Sequence, residues 1–301
     1  MSFPARNPGG FTLIELLTAM AVVMVLIVGL MTMANWAGST WSHGENQIEK
    51  RRNARASTEL ISRDLRNAIL PVAGMSQDGL SNLRFVLNPP ANLPPEISNR
   101  DTLFWQSSTA TDRARGDIAI VGYFVRFVLE QGVPKFRLCR LFIDASREED
   151  YRIYAAATEY EWLSPQVVDA YTSARSDAPE KFRGLLADGV LGIWIRCLDP
   201  DGNTIVQTAG LAAYAGNSYD SNLGYAYRDG TVRVSPPSLP ASVEIQLVVM
   251  DSKGVSKLSV EEAEQIRTDY RTDATAFVNA LPDSIRPSAR VIRTKIPLPK
   301  S

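Results

Sequence analysis

The feature that most constrains this chain is a long apolar run close to its N-terminus. From Phe11 to Met33 the only ionisable side chain is Glu15. An α-helix rises about 1.5 Å per residue, so a helix over this run is about 35 Å long, enough to cross the hydrocarbon core of a bilayer. The sequence therefore predicts a membrane-spanning helix over residues 11–33.

The basic residues around this run predict its orientation. Arg6 is the only basic side chain before the run, and no lysine or arginine follows it until Lys50. Because cytoplasmic loops carry an excess of lysine and arginine, this distribution places the N-terminus in the cytoplasm. We therefore expect a single-pass protein whose larger C-terminal part lies across the membrane.

Two simpler interpretations of the run are a cleaved secretory signal and a plain signal anchor. A secretory signal has an apolar stretch of about 7–15 residues that ends in a small-x-small site. This run is longer, and Thr32-Met33-Ala34 is the best such site that it offers. Glu15 also needs an explanation, because a carboxylate at the centre of a bilayer costs about 2.5–3.5 kcal/mol. A charge kept at that cost usually has a function.

The residues around this glutamate form a motif. The stretch from Gly9 to Leu17, with the sequence GGFTLIELL, resembles the class III signal of type IV pilins and pseudopilins. The resemblance implies that a prepilin peptidase cuts after Gly10 and methylates the new N-terminus at Phe11. It also implies that Glu15 faces the N-terminal ammonium of a neighbouring subunit, where a buried pair of opposite charges is cheaper than either charge alone.

The helix is predicted to continue well beyond the membrane. Apolar residues recur at near-helical spacing with charged residues between them until Pro71 ends the pattern. These apolar residues are Ile48, Ala54, Ile61, Leu65 and Ala68. We therefore divide the chain into a leader (residues 1–10), an N-terminal helix (11–70) with its membrane span at 11–33, and a β-rich extracytoplasmic domain (71–301).

Beyond Pro71 the sequence favours strands. Runs rich in β-branched and aromatic residues are bounded by glycine, proline or asparagine, and Gln131-Gly132-Val133-Pro134 is typical of a hairpin turn between two of them. A capping box at Ser259 and Glu262 predicts one or two helices from Val260 to about Ala280. The predicted strands are 83–87, 102–106, 117–130, 135–144, 190–199, 203–207, 243–251 and 290–296. The expected fold class is α+β, with a mainly antiparallel sheet.

This layout is similar to the minor pseudopilins, in particular to the J-type subunits of type II secretion and the W-type minor pilins. The segment from Ser62 to Ala68 resembles the end of their long helix, and parts of the chain from Leu186 onward resemble cassette protein C of the Verru_Chthon group. The resemblance implies a pilin-like domain in a single-pass protein of the bacterial inner membrane, with other pilin-like subunits as partners. The large outer domain favours a position at the tip, or a role in initiation, of a secretion or pilus-like filament.

The composition excludes several kinds of chemistry. The chain has one histidine and two cysteines, which argues against a zinc site and against most catalytic triads. Its formal net charge of −1 argues against general electrostatic binding of nucleic acid. The resemblance to pilins implies that His43 lies along the long helix, on the filament shaft or membrane face, with no cleft around it in which to act as a base. We therefore expect a structural protein, not an enzyme, without a cofactor. A minor pilin with an adhesin or DNA-uptake domain is the alternative function.

Two further sets of residues are weak candidates for a site. Asp199, Asp201 and Asn203 alternate like the first ligands of a calcium loop, but the glycine and glutamate expected later in such a loop are missing, which favours a tight turn and no metal. Cys139 and Cys197 lie in predicted strands. The sequence leaves open a disulfide between them and two buried free thiols.

Overall fold

The computed structural model describes residues 13–70, 84–91, 93–97, 101–110, 116–147, 160–172, 184–207, 217–268 and 273–299. Gly10 and Phe11, which the sequence predicts as the processing site, lie outside these residues. The chain divides into two units, residues 1–49 and residues 50–301. The first contains most of the long helix, and the second contains the end of that helix and every strand that the structure describes.

The helices are α1 (Leu13–Arg66), α2 (Pro165–Thr172), α3 (Ser252–Val255), α4 (Val260–Thr268) and α5 (Ala274–Ala280). The strands are β1 (Val86–Leu87), β2 (Leu103–Ser107), β3 (Ala119–Glu130), β4 (Val133–Ile143), β5 (Leu185–Asp188), β6 (Val190–Leu198), β7 (Tyr219–Asp220), β8 (Tyr225–Tyr227), β9 (Val232–Val234), β10 (Ser242–Met250) and β11 (Ala289–Pro297). A long N-terminal helix followed by antiparallel strands confirms the predicted α+β class.

The long helix α1 has 54 residues and ends at Arg66, four residues before the predicted end at 70. The residues that follow the helix form backbone bonds with the six-stranded sheet. Ala68 forms an isolated antiparallel bridge with Ser107, and the Ile69 amide donates to the carbonyl of Gln106 across 3.0 Å. The chain therefore joins the sheet directly after the last turn of the helix.

The strands form two main sheets and one small hairpin. The first sheet has six strands in the order β5-β4-β3-β2-β1-β7, and the second has three in the order β11-β10-β6. The small hairpin joins β8 and β9. Every pair is antiparallel, as predicted. In the β3–β4 hairpin, Gln131 and Gly132 adopt φ values of 52° and 79°, which are typical of a tight hairpin turn.

Side chains on the two faces of the six-stranded sheet enter separate apolar clusters. Val125 and Leu138 belong to the larger cluster, which also contains residues of the three-stranded sheet and the end of α1. Phe124 and Cys139 point to the opposite face and pack with Trp162 and the residues of α2. The six-stranded sheet is therefore covered on both faces, and its central strands β2 and β3 are almost entirely buried.

Several details of the strand prediction are wrong. Residues 203–207 form no strand, and only a single bridge joins Leu198 to Thr204. Beyond this bridge Val206 is exposed, and the side chain of Gln207, not its backbone, bonds to the backbone of Asp220 in β7. Strands β5, β7, β8 and β9 and helix α2 were not predicted. The region from Val260 to Ala280 contains two helices, and the predicted capping box is present, with the Ser259 hydroxyl accepting from the Glu262 amide at 3.1 Å.

Candidate functional site

The first part of α1 presents an apolar surface. Leu13–Trp36 has a mean hydropathy of 2.6 and none of it is buried, and this is the one helix among the described residues long and apolar enough to cross a membrane. The hydroxyls of Thr18 and Thr32 donate back to the carbonyls of Ile14 and Val28, at 3.0 and 2.9 Å. These polar groups are therefore satisfied within the helix, which suits a segment without access to water.

Glu15 lies in the first turn of this helix and its side chain is exposed. An acidic side chain is favoured there, because the first turn carries the positive end of the helix dipole. The structure places this carboxylate on the surface of the single chain, where a group from another molecule can reach it. Its pairing with a neighbouring subunit stays a prediction.

The other end of α1 is attached to the sheet by a buried carboxylate. Asp64 is 3% exposed, and its Oδ2 accepts hydrogen bonds from the Tyr123 hydroxyl at 2.6 Å and from Nε of Arg140 at 2.7 Å. Burial, followed by the negative charge of Asp64, raises the pKa of Tyr123 well above its usual range. Tyr123 therefore stays protonated and donates to Asp64 at any physiological pH.

Apolar contacts and backbone bonds complete this attachment. Ile61 and Leu65 are fully buried in the larger cluster. The Ser108 amide donates to the carbonyl of Asn67 at 3.1 Å, next to the bridge between Ala68 and Ser107. The last turns of α1 therefore form one packed body with the sheets, so a partner that binds these turns binds the whole domain.

The three residues of the weak calcium candidate are used in a turn. The Asp199 carboxylate accepts from the Asn203 amide at 2.8 Å, and the Gly202 amide donates to the Asp199 carbonyl at 3.0 Å. Asp201 forms two hydrogen bonds with the Arg228 guanidinium, which lower the pKa of that carboxyl. In the described part of the chain, no three histidine, cysteine, aspartate or glutamate side chains are grouped so that they could hold a metal ion.

The disulfide that the sequence left open is not formed. Cys139 and Cys197 are both buried and free. Cys139 points to the cluster around Trp162, whereas Cys197 belongs to the cluster on the other face of the six-stranded sheet. The sheet itself therefore separates the two sulfur atoms. Burial raises the pKa of the Cys139 thiol to about 12 and that of Cys197 well above its ordinary value.

Sequence reasoning missed several buried charged groups. Arg84 bonds to Asp220 at 2.7 Å, with both side chains almost fully buried, and the Tyr160 hydroxyl donates to the same carboxylate. Arg126, 3% exposed, pairs with Asp169 of α2. An arginine inside the apolar run of β3 was a signal that a carboxylate must lie opposite it. These groups hold loops and helices to the sheets.

Comparison with known proteins gives one match. Residues 5–31 match the family model of the prokaryotic N-terminal methylation motif. This match supports a type IV pilin-like protein. The motif indicates a prepilin-like precursor that a peptidase processes, and together with the exposed apolar helix it indicates a single-pass membrane anchor. No curated protein and no solved structure matches the chain.

Proposed function

We propose that this chain is a structural minor pseudopilin, cut after Gly10 and methylated at Phe11, that assembles through α1 into a type II secretion or type IV pilus-like filament. One observation carries this proposal. The methylation motif over residues 5–31 includes most of the 24-residue apolar helix Leu13–Trp36, in which every side chain is exposed. A helix that exposes this much apolar surface needs a membrane or a bundle of similar helices to cover it.

Glu15 gives this bundle its register. In the assembled state its carboxylate faces the methylated ammonium group at Phe11 of the adjacent subunit. Both charges lie in a medium of low dielectric constant, where a single unpaired charge is costly. A subunit that slides along its neighbour breaks the pair, so one alignment of the two helices is favoured.

The outer domain is proposed to make lateral contacts and to occupy the tip of the filament or take part in its initiation. The size of the β-rich domain supports this position, because its described part alone, with two main sheets, a small hairpin and four further helices, would crowd a shaft of closely repeated subunits. A non-enzymatic role is part of the proposal. The methylation motif, which is typical of pilin-like proteins, supports it.

Replacement of Glu15 by leucine tests the assembly step. The Glu15→Leu variant makes the segment more apolar, so we expect it to insert in the membrane at least as well as the wild type. Loss of half of a buried pair costs about 3–5 kcal/mol, so association with the other pilin-like subunits should fall more than about a hundredfold. Cross-linking in membranes, followed by co-purification, measures this association.

A second variant separates charge from hydropathy. Thr32→Leu also makes the same helix more apolar but removes no charge, so it should assemble like the wild type. Wild-type association of the Glu15→Leu variant would contradict the proposed pairing. Equal losses in both variants would show that the change in hydropathy, and not the carboxylate, matters.

A further inference from the structure

Strand β11 forms the edge of the three-stranded sheet. It pairs with β10 along all nine of its residues, and in the described part of the chain no other strand pairs with it. Natural proteins usually shorten, cover or interrupt such edges, because the unpaired backbone groups invite another strand. Here the edge is long, and its only proline, Pro297, lies at the end of the strand.

The hydrogen bonds on the far side of the sheet show which backbone groups of β11 point outward. The amide of Ile195 in β6 donates to Asp101 at 2.6 Å and its carbonyl accepts from Asn217, so both groups face away from β10. Ile195 lies opposite Ile245 of β10, and in an antiparallel pair the backbone groups of two opposite residues point either both toward each other or both away. The amide and carbonyl of Ile245 therefore point to β11, where Ile245 pairs with Thr294. Thr294 therefore bonds to β10, and the residues that alternate with it direct their backbone amides and carbonyls away from β10. In the middle of the strand these residues are Val291, Arg293 and Lys295.

The charges along this edge favour one kind of partner. Arg290, Arg293 and Lys295 are exposed, and β11 contains no acidic residue. Glu244 lies opposite Lys295 on β10, so one positive charge has an acidic neighbour. Arg293 donates to the Thr275 hydroxyl at 2.6 Å, and its charge is one of the causes that lower the pKa of Asp273, so this positive charge also has an acidic neighbour on α5's N-terminal side. A second copy of β11 would set like charges against each other, whereas an acidic strand would complement them.

The other face of β11 adjoins a groove. Ile292 and Thr294 form one wall, and four residues of α1, Arg55, Thr58, Glu59 and Ser62, form the other. The groove is open to solvent and has a volume of about 410 Å³. Arg55 and Glu59 pair with each other at 3.1 Å, so their charges balance. A strand added beside β11 would direct every second side chain over this groove.

We propose that β11 pairs with an extended segment of a partner protein in which β-branched apolar residues alternate with acidic residues. The backbone of that segment bonds to the outward groups of Val291, Arg293 and Lys295. Its acidic side chains lie on the face of Arg293 and Lys295, and its apolar side chains enter the groove beside Ile292. This interaction involves only residues of the second unit, 50–301, so it stands or falls separately from processing at the N-terminus.

A pair of synthetic peptides tests the proposal on the full-length protein in detergent micelles. The probe is a fluorescent nine-residue peptide of alternating valine and glutamate, and its control alternates valine and lysine. Fluorescence anisotropy should show the glutamate peptide binding at least about tenfold more tightly, a difference of about 1.4 kcal/mol. On binding, hydrogen exchange at the amides of Val291, Arg293 and Lys295 should slow at least about tenfold.

Two variants separate strand pairing from charge attraction. Arg293→Pro removes an outward amide without breaking a bond to β10, and it should weaken binding of the glutamate peptide at least about tenfold. Arg293→Ala keeps that amide and loses only the charge, so it should weaken binding about threefold. A thermal unfolding curve verifies that both variants are folded.

Four results would overturn the proposal. These are equal binding of the two peptides, wild-type binding by the Arg293→Pro variant, bound peptide without slower exchange at the three outward amides, and outward amides that already exchange slowly in the protein alone. The last would mean that the edge is occupied, whether by a second copy or by another part of the chain.

Discussion

The carboxylate of Asp64 in α1 accepts a hydrogen bond from the hydroxyl of Tyr123 in β3 across 2.6 Å. The same oxygen accepts from Arg140 in β4 at 2.7 Å. One buried side chain at the end of the long helix thus holds two adjacent strands of the six-stranded sheet, β3 and β4. The last turns of the helix cannot separate from the sheet without exposing this charge pair or leaving it half-paired.

We expect replacement of Asp64 by alanine to lower the free energy of unfolding of the outer domain by about 3 kcal/mol, because it leaves the largely buried Arg140 without its carboxylate. Urea unfolding of the detergent-extracted protein, followed by tryptophan fluorescence, measures the change. Glu59→Ala on the same helix removes an exposed carboxylate and should cost less than about 0.5 kcal/mol. Equal effects of the two variants would contradict the role of Asp64.

The two cysteines should be unreactive in the folded protein and reactive after unfolding. Burial raises the pKa of Cys139 to about 12, so almost none of it is thiolate near neutral pH, and Cys197 is shielded in the same way. A maleimide reagent followed by mass measurement should add nothing to the native protein and two labels to the protein unfolded in urea without reductant. Unfolded protein that takes no label would indicate a disulfide and contradict the structure.

The N-cap of α5 should make stability depend on pH. Asp273 accepts from the amides of Thr275 and Ala276 at 2.8 and 3.0 Å, and the Ala276 bond is the largest cause of its lowered pKa. A lowered pKa means that the stabilisation is present above the unfolded pKa, about 3.9, and is lost as the pH falls through the lower pKa of the folded state. Asp273→Ala should therefore cost about 1 kcal/mol near neutral pH and progressively less below about pH 4.

A matched variant identifies the titrating group in this prediction. Asp273→Asn still caps the helix but carries no ionisable carboxyl. Its advantage over the alanine variant in urea unfolding should persist at low pH, whereas that of the wild type should shrink. An alanine variant whose loss of stability is the same at both pH values would show that the ionised carboxylate does not provide the cap.

The sequence predicted the parts of the fold that depend on neighbours along the chain. The apolar run around Glu15, the hairpin turn at Gln131 and the capping box at Ser259 are local patterns, and the structure contains the helix, the turn and the cap. The long strands β3, β4, β6, β10 and β11 also lie within two residues of the predicted bounds. These strands contain enough β-branched and aromatic residues for the sequence to predict them without knowledge of their partner strands.

The rest depended on contacts between distant residues. Asp64 lies 59 residues from Tyr123 and 76 from Arg140, so no pattern near Asp64 identifies its partners. Strand β7 has two residues and exists because β1 lies beside it. The side of the sheet to which Cys139 points follows from strand register, which is also what excludes the disulfide.

The mature N-terminus tests the central claim most directly. The full-length chain is expressed with a prepilin peptidase, extracted from membranes and measured by intact mass spectrometry. We expect loss of residues 1–10 and a gain of one methyl group, so that the chain begins at N-methylated Phe11, and we expect a Gly10→Leu variant to stay uncut. An uncut wild-type chain, or one that begins near Ala34, would contradict the claim that this is a prepilin-like precursor.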